Sequence, residues 1–308
     1  MKKLLLKVLY FLLPVFLLLV FLPMHKRSKY LGMKDDCINR CSWIFDRIHN
    51  NQLPIDVLFL GTSKTANGIN DRELSKRLTD QQVVNFGYCR FGRNLHYALL
   101  KEVLEKKQPK VLLIEIRESE SKSGHPIFPF IANTSDVVLS YPFFNKHVAS
   151  DVWNHLSFKI ELTQEQLFYS ADTVAIDLAR YGYIWAEGNA SKEDLEKNKR
   201  KWNDPKRKFS EFEKDFHFNF AHNYLQKIAA LCEKKNVTLQ LLYLPSYGVK
   251  TTENSNFERY TNYGNVLIPP SKLLENENNW YDVNHLNVAG AAELTDWLTT
   301  VLSRTQEN

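Results

Sequence analysis

The sequence predicts a parallel α/β domain in three layers, a sheet between two sets of helices, preceded by one apolar helix. Three observations carry this. From residue 53 onward, short runs of continuous apolar residues alternate with longer stretches of helical periodicity. Strands buried on both faces of a parallel sheet read as unbroken apolar runs, and strand–helix alternation implies right-handed crossovers. The third observation is an uncharged run near the N-terminus.

Each element can be justified in turn. Ile55 to Leu60 reads as the first strand and runs directly into Gly61-Thr62-Ser63. Val83 to Gly87 is a short second strand, and a helix from about Leu95 to Lys107 places Leu95, Leu99, Leu100, Val103 and Leu104 on one face. Pro109 closes that helix. Val111 to Ile116 is the third strand, five apolar residues interrupted only by Glu115. Phe212 to Lys234 is helical and leads into the fourth strand, Val237 to Leu244, which Pro245 ends. Gly264 to Pro269 is a shorter apolar run, and Val288 to Leu302 is the closing helix.

Ahead of this domain, Lys2, Lys3 and Lys7 precede an uncharged run from Val8 to Leu22, which with Leu4 to Leu6 places the membrane segment at residues 4–24. That length is sufficient for a hydrocarbon core of about 30 Å. No small-x-small cleavage site follows and no cysteine is placed for lipidation. Residues 1–30 therefore read as an uncleaved signal anchor, 31–52 as a juxtamembrane helix and linker, and 53–308 as the domain. The run His25-Lys26-Arg27-Ser28-Lys29 leaves the positive-inside bias nearly balanced. The expected placement is single-pass in the inner membrane, with the domain outside the cytoplasm.

Composition narrows the function classes. The chain has 308 residues, 44% apolar and 24% charged, which suits one globular domain with a sizeable core. A net charge of +5 without a basic stripe and interleaved aromatics excludes nucleic acid as a partner. Much of that charge lies in the N-terminal segment and in Lys192 to Lys208; Lys197, Lys199, Arg200, Lys201, Lys206, Arg207 and Lys208 read as a solvated face. No Cys or His pair has ligand spacing, so neither metal nor cofactor is expected. A Cys37–Cys41 bridge is geometrically allowed, and Cys89 reads as a small buried packing residue, with a reactive thiol as the alternative.

An insertion at about 121–210 is too long for an ordinary connection. It carries His125, Tyr141, Trp153, His155, Tyr181, Tyr183 and Trp185. These rings either pack the insertion onto the sheet or stack on sugar rings along one wall of a cleft.

The chemistry-bearing residues lie at the two ends of the domain. Ser63 is lifted off the first strand by a small-residue turn, and Asp282-Val283-Asn284-His285 sits just before the last helix. A serine hydroxyl needs a base within hydrogen-bond reach to act as a nucleophile. His285 would take its proton, and Asp282 would fix the imidazole tautomer and stabilise the imidazolium. Ligands of open parallel sheets bind outside the carboxyl ends of the strands, where Ser63 falls.

This order of strand, serine and late Asp-x-x-His resembles the SGNH/GDSL hydrolase superfamily, from about Leu53 to the C-terminus. The resemblance implies a three-layer sandwich with flavodoxin-like strand order and a Ser63–His285–Asp282 triad. Two positions depart from the pattern. The family's oxyanion glycine falls at about Arg90, and the asparagine of its Gly-x-Asn-Asp motif falls at about Ser119. Oxyanion donors are worth about 2.7–4 kcal/mol each in acyl transfer, so either substitutes exist or catalysis was abandoned. Candidates are the Arg90 backbone N–H, the guanidinium groups of Arg90 and Arg117, and the neighbouring Gly92, Asn94 and Ser119. The segment Tyr88 to Asn94 and the run Arg117-Glu118-Ser119-Glu120 are expected to face each other at adjacent strand ends, either as a salt-bridge network or as part of the site.

The variant is similar to the branch associated with acetylation of bacterial surface polysaccharides. That implies transfer or hydrolysis of an acyl group, acetyl by preference, on an envelope polysaccharide, with a membrane-bound O-acyltransferase as partner. The alternatives are a non-catalytic glycan-binding or assembly component, and a plain esterase or lipase.

Overall fold

The computed structural model describes residues 1–142, 145–168, 181–204, 210–250 and 257–304. Lys206, Arg207 and Lys208 of the basic run lie outside those residues. Five strands, β1 (Val57–Leu60), β2 (Val83–Asn85), β3 (Val111–Ile116), β4 (Thr238–Tyr243) and β5 (Asn265–Leu267), form one sheet in the order β2-β1-β3-β4-β5. Every pairing is parallel. This is the flavodoxin-like order, with its switch point between β1 and β3.

Helices α1 (Lys2–Phe21), α2 (Lys26–Leu31) and α3 (Arg40–His49) precede the sheet. Helices α4 (Ser63–Gly68) and α5 (Asp71–Arg77) join β1 to β2, and α6 (Arg93–Leu104) joins β2 to β3. The long excursion after β3 carries α7 (Phe128–Ile131), α8 (Thr134–Val138), α9 (Val148–Phe168), α10 (Lys192–Trp202) and α11 (Glu211–Lys234). After β4 come α12 (Phe257–Thr261), α13 (Ser271–Glu275) and α14 (Val288–Arg304).

The alternation of side chains along the strands divides the core into two layers. Leu58, Leu60, Leu112, Ile114, Leu241 and Tyr243 face a cluster shared with α3, α6 and α11. Val57, Phe59, Leu113 and Leu242 face the opposite cluster, shared with α5 and α14. Helix α3 is buried along nearly its whole length, and Arg40 at its start donates to the carbonyls of Gly87 at 2.7 Å, Asn85 at 2.8 Å and Gly182. The end of β2 is thereby fixed from the segment that follows the apolar helix. Helix α1 is long and apolar enough to cross a membrane; its described residues up to Leu18 are exposed, and Leu19 and Val20 are partly buried. On α10, Lys197, Lys199, Arg200 and Lys201 are exposed.

The cysteines pair differently from the sequence expectation. Cys37 is joined to Cys89 across 52 residues, while Cys41 and Cys232 are free and buried. Spacing of i, i+4 along the chain allowed Cys41 as a partner, but Cys37 precedes α3 and lies beside the loop after β2. Cys89 is thus a tether between the pre-sheet segment and that loop.

Candidate functional site

The turn after β1 is built around Glu115. Thr62 donates its N–H to Glu115 Oε2 at 2.7 Å, and its hydroxyl lies 2.8 and 2.9 Å from the two carboxylate oxygens. Thr65 adds its hydroxyl at 2.7 Å and its N–H at 3.3 Å. A carboxylate on β3 therefore satisfies donors at the start of α4, where intrahelical acceptors are lacking. Gly61 is required here: a Cβ would lie 1.8 Å from Thr65 Oγ1 and 2.6 Å from Glu115 Oε2. Ser63, the first residue of α4, is presented partly exposed at the strand's carboxyl end. Among the described residues its N–H has no acceptor.

The Asp282–His285 loop is closed by its own side chain. Asp282 Oδ1 accepts the N–H of Asn284 at 2.7 Å and of His285 at 2.9 Å, and His285 O accepts the N–H of Tyr281 at 2.9 Å. The same carboxylate receives His285 Nδ1 at 2.8 and 2.9 Å. An ionised carboxylate only accepts, so Nδ1 carries the proton and Nε2 is free to accept. Nε2 lies 2.8 Å from Ser63 Oγ. Burial acts to raise the Asp282 pKa, but the His285 ring and the Asn284 amide outweigh it, holding the group below the usual carboxylate range. It is an anion at neutral pH.

A second network, which the sequence did not disclose, locks this loop to the serine turn. Lys64 is buried; its Nζ donates to Ser246 Oγ at 3.0 Å and Leu244 O at 3.2 Å, with Glu118 Oε2 at 3.7 Å. Ser246 Oγ lies 2.6 Å from Glu118 Oε1 and 2.9 Å from Asn284 Oδ1. Burial would push Glu118 up, yet the Lys64 ammonium and the Ser246 hydroxyl bring its pKa below the ordinary value. The residue after Ser63, the end of β3, the loop after β4 and the residue before His285 form one connected set.

The remaining predicted positions engage other partners, and Arg117 lies close enough to act on the charges of Lys64 and Glu118. Arg90 is exposed, and its guanidinium lies 2.5 Å from both carboxylate oxygens of Asp36, turned toward the pre-sheet segment. Asn94 is buried, with Oδ1 accepting the His125 N–H at 2.8 Å, and Gly92 lies against His125. Ser119 is exposed; Arg117 stacks over Phe91 at 4.5 Å. The two loops do face each other, through a buried Arg93–Glu120 pair at 2.5 Å to which Tyr260 donates at 2.6 Å. The glycine packed on the serine helix is Gly87, where a Cβ would meet Ala66 N at 2.5 Å and Thr62 O at 2.8 Å.

Two open clefts meet at Tyr281, next to Asp282. One, of about 380 Å³, is lined by Asn67, Trp185, Glu187 and Tyr281; the other, of about 510 Å³, includes Asn189, Asp194, Lys197 and Asp282. Ile184 N–H donates to Ala66 O at 2.8 Å and Asn67 to Ile184 O at 2.7 Å, so the end of the insertion runs beside α4. Trp185 is 68% exposed there. His125 and His155 are buried. Among the described residues, no group of three or more His, Cys, Asp or Glu is arranged to hold a metal.

No family model and no curated protein matches this sequence. Among solved structures, it is similar to "The structure of a putative platelet activating factor from Streptococcus pneumonia", at 14% identity and a TM-score of 0.33, over 90% of this chain and 92% of that one. Likeness at that level carries no weight for fold or chemistry.

Proposed function

We propose that this protein is a membrane-anchored, SGNH-like serine enzyme that transfers or hydrolyses an acyl group, acetyl by preference, on an envelope polysaccharide. One observation carries the chemistry: Ser63 Oγ, His285 Nε2 and His285 Nδ1–Asp282 form a continuous line of 2.8 Å contacts. In the reaction, Ser63 Oγ attacks the acyl carbonyl carbon while His285 Nε2 takes the hydroxyl proton. The tetrahedral adduct collapses and expels the donor's alcohol, which receives that proton. A glycan hydroxyl, or water, then attacks the acyl-serine, again giving its proton to His285, and Ser63 is regenerated. Asp282 holds the ring in the required tautomer throughout. The free Ser63 N–H is one donor for the developing oxyanion.

The substrate class rests on the cleft. Trp185 and Tyr281 are exposed rings in clefts that reach Asp282 and Asn67 of the serine helix, suited to stacking on sugar rings, with Asn189, Asp194 and Lys197 among the polar side chains lining them. A domain outside the cytoplasm agrees with the Cys37–Cys89 disulfide, because such bonds persist in oxidising compartments. A membrane-bound O-acyltransferase would supply the acyl group from across the bilayer.

A second reading, a non-catalytic glycan-binding component, is favoured by the engagement of Arg90 with Asp36 and of Asn94 with His125. Release of acetate from an aryl acetate, and the acetyl content of envelope glycans in cells carrying wild type or Ser63→Ala, separate the two. Loss of both in the variant supports the enzyme. No turnover by wild type, with unchanged acetylation in Ser63→Ala cells, supports the binding component.

A further inference from the structure

A groove of about 1160 Å³ lies at the sheet edge opposite Ser63, where α3, α6 and α11 end just before β1, β3 and β4 begin. Its fourth side is the segment from Pro23 to Arg27, which follows directly on α1. The floor is apolar, from Met24, Phe45, Leu104 and Leu231. Its charges divide into two kinds. Lys26 pairs with Glu105, and Lys101 with Asp136 at 2.6 Å, so those cations are neutralised. Lys106 and Lys235 are exposed on the rim, and among the described residues their ammonium groups have no acid partner. Arg27, near Asp46, has a buried Nε without a hydrogen-bond partner.

We propose that this groove binds the headgroup of an anionic glycerophospholipid of the membrane that α1 crosses. The occupant follows from position and charge. Helix α1 ends at Phe21, two residues before the groove, so a spanning α1 puts the groove in the headgroup layer. Lys106, Lys235 and Arg27 suit the phosphate, and the apolar floor suits the glycerol end of the acyl chains. The sheet's amino edge then sits on the bilayer. Ser63 is held at the other edge, roughly 20 Å away for a six-residue strand, where it meets a substrate outside the lipid. The site depends on α1 spanning a membrane and not on the chemistry of Ser63, so either can fail alone.

The test uses the full chain in neutral detergent, with its thermal midpoint followed by tryptophan fluorescence. Short-chain phosphatidylglycerol, short-chain phosphatidylcholine and inorganic phosphate are titrated in separate arms. The expected result is a saturable rise with phosphatidylglycerol alone. Removing one lysine weakens binding about fivefold, and Lys106→Gln with Lys235→Gln about thirtyfold; the unliganded midpoint stays unchanged because both residues are exposed. An equal rise with phosphatidylcholine or with inorganic phosphate overturns the assignment, as does no rise at all, or a double variant that binds as wild type does.

Discussion

Replacing Glu115 by glutamine removes a charge from the turn that presents Ser63 while keeping its shape. The carboxylate holds the Thr62 N–H at 2.7 Å, the Thr65 hydroxyl at 2.7 Å and the Thr65 N–H at 3.3 Å. Hydrogen bonds to a charged acceptor contribute about 1.5–3 kcal/mol each, and neutral ones about 0.5–1.5. For the two shortest bonds the difference sums to about 2 kcal/mol, reduced by the desolvation cost of the buried charge that disappears with it. Glu115→Gln should therefore destabilise by about 1–2 kcal/mol. Glu115→Ala leaves two amide donors and two hydroxyls in a dry site, at about 1–3 kcal/mol each, and should cost more than about 4 kcal/mol. Urea unfolding of the full chain in detergent measures both. Aryl acetate turnover should fall in Glu115→Gln through kcat, with KM little changed, because Ser63 is displaced and no substrate contact is lost. An alanine variant within about 0.5 kcal/mol of wild type would refute this account of the turn.

Three further outcomes are expected. Cys37→Ser opens a 52-residue loop and should lower stability by about 4 kcal/mol on the chain-entropy estimate; urea midpoints equal to wild type under non-reducing conditions would contradict the pairing. Burial brings His125 down to about 4 from an ordinary 6.5. Between those values the unfolded chain binds a proton that the folded one does not, so stability falls as pH drops from about 6.5 to about 4, by up to about 3 kcal/mol. A His125 ring titrating near its ordinary value by NMR would contradict this. Arg90→Ala removes a surface pair with Asp36, its side chain 48% exposed, and should change stability by less than about 1 kcal/mol and leave turnover near wild type; a large loss of turnover would return Arg90 to the site.

The elements that local pattern specifies were legible. Apolar runs marked the strands, the repeat at Leu95, Leu99 and Val103 marked α6, and chain order brought Ser63 toward Asp282 and His285. What escaped depends on non-local burial. Glu115 looked like an interruption in a strand, because nothing in its neighbours says that its side chain meets Thr62 and Thr65, some fifty residues earlier. Lys64, Glu118 and Ser246 are ordinary loop-end polar residues until the sheet brings three strand ends together. Arg90 was drawn into the pocket by its place after β2, yet Asp36, ahead of the domain, competes for it. Cys89 was misread for the same reason: its partner lies 52 residues away.

The proposed chemistry requires that His285 and Asp282 make Ser63 a nucleophile. The most direct measurement is labelling of the full chain with a fluorophosphonate, followed by mass spectrometry of the peptide containing residue 63. One label per chain is expected on Ser63, none in Ser63→Ala, and labelling slowed at least about a hundredfold in His285→Ala, as loss of a general base requires. A wild-type protein that stays unlabelled, or a Ser63→Ala variant labelled at the wild-type rate, would contradict it.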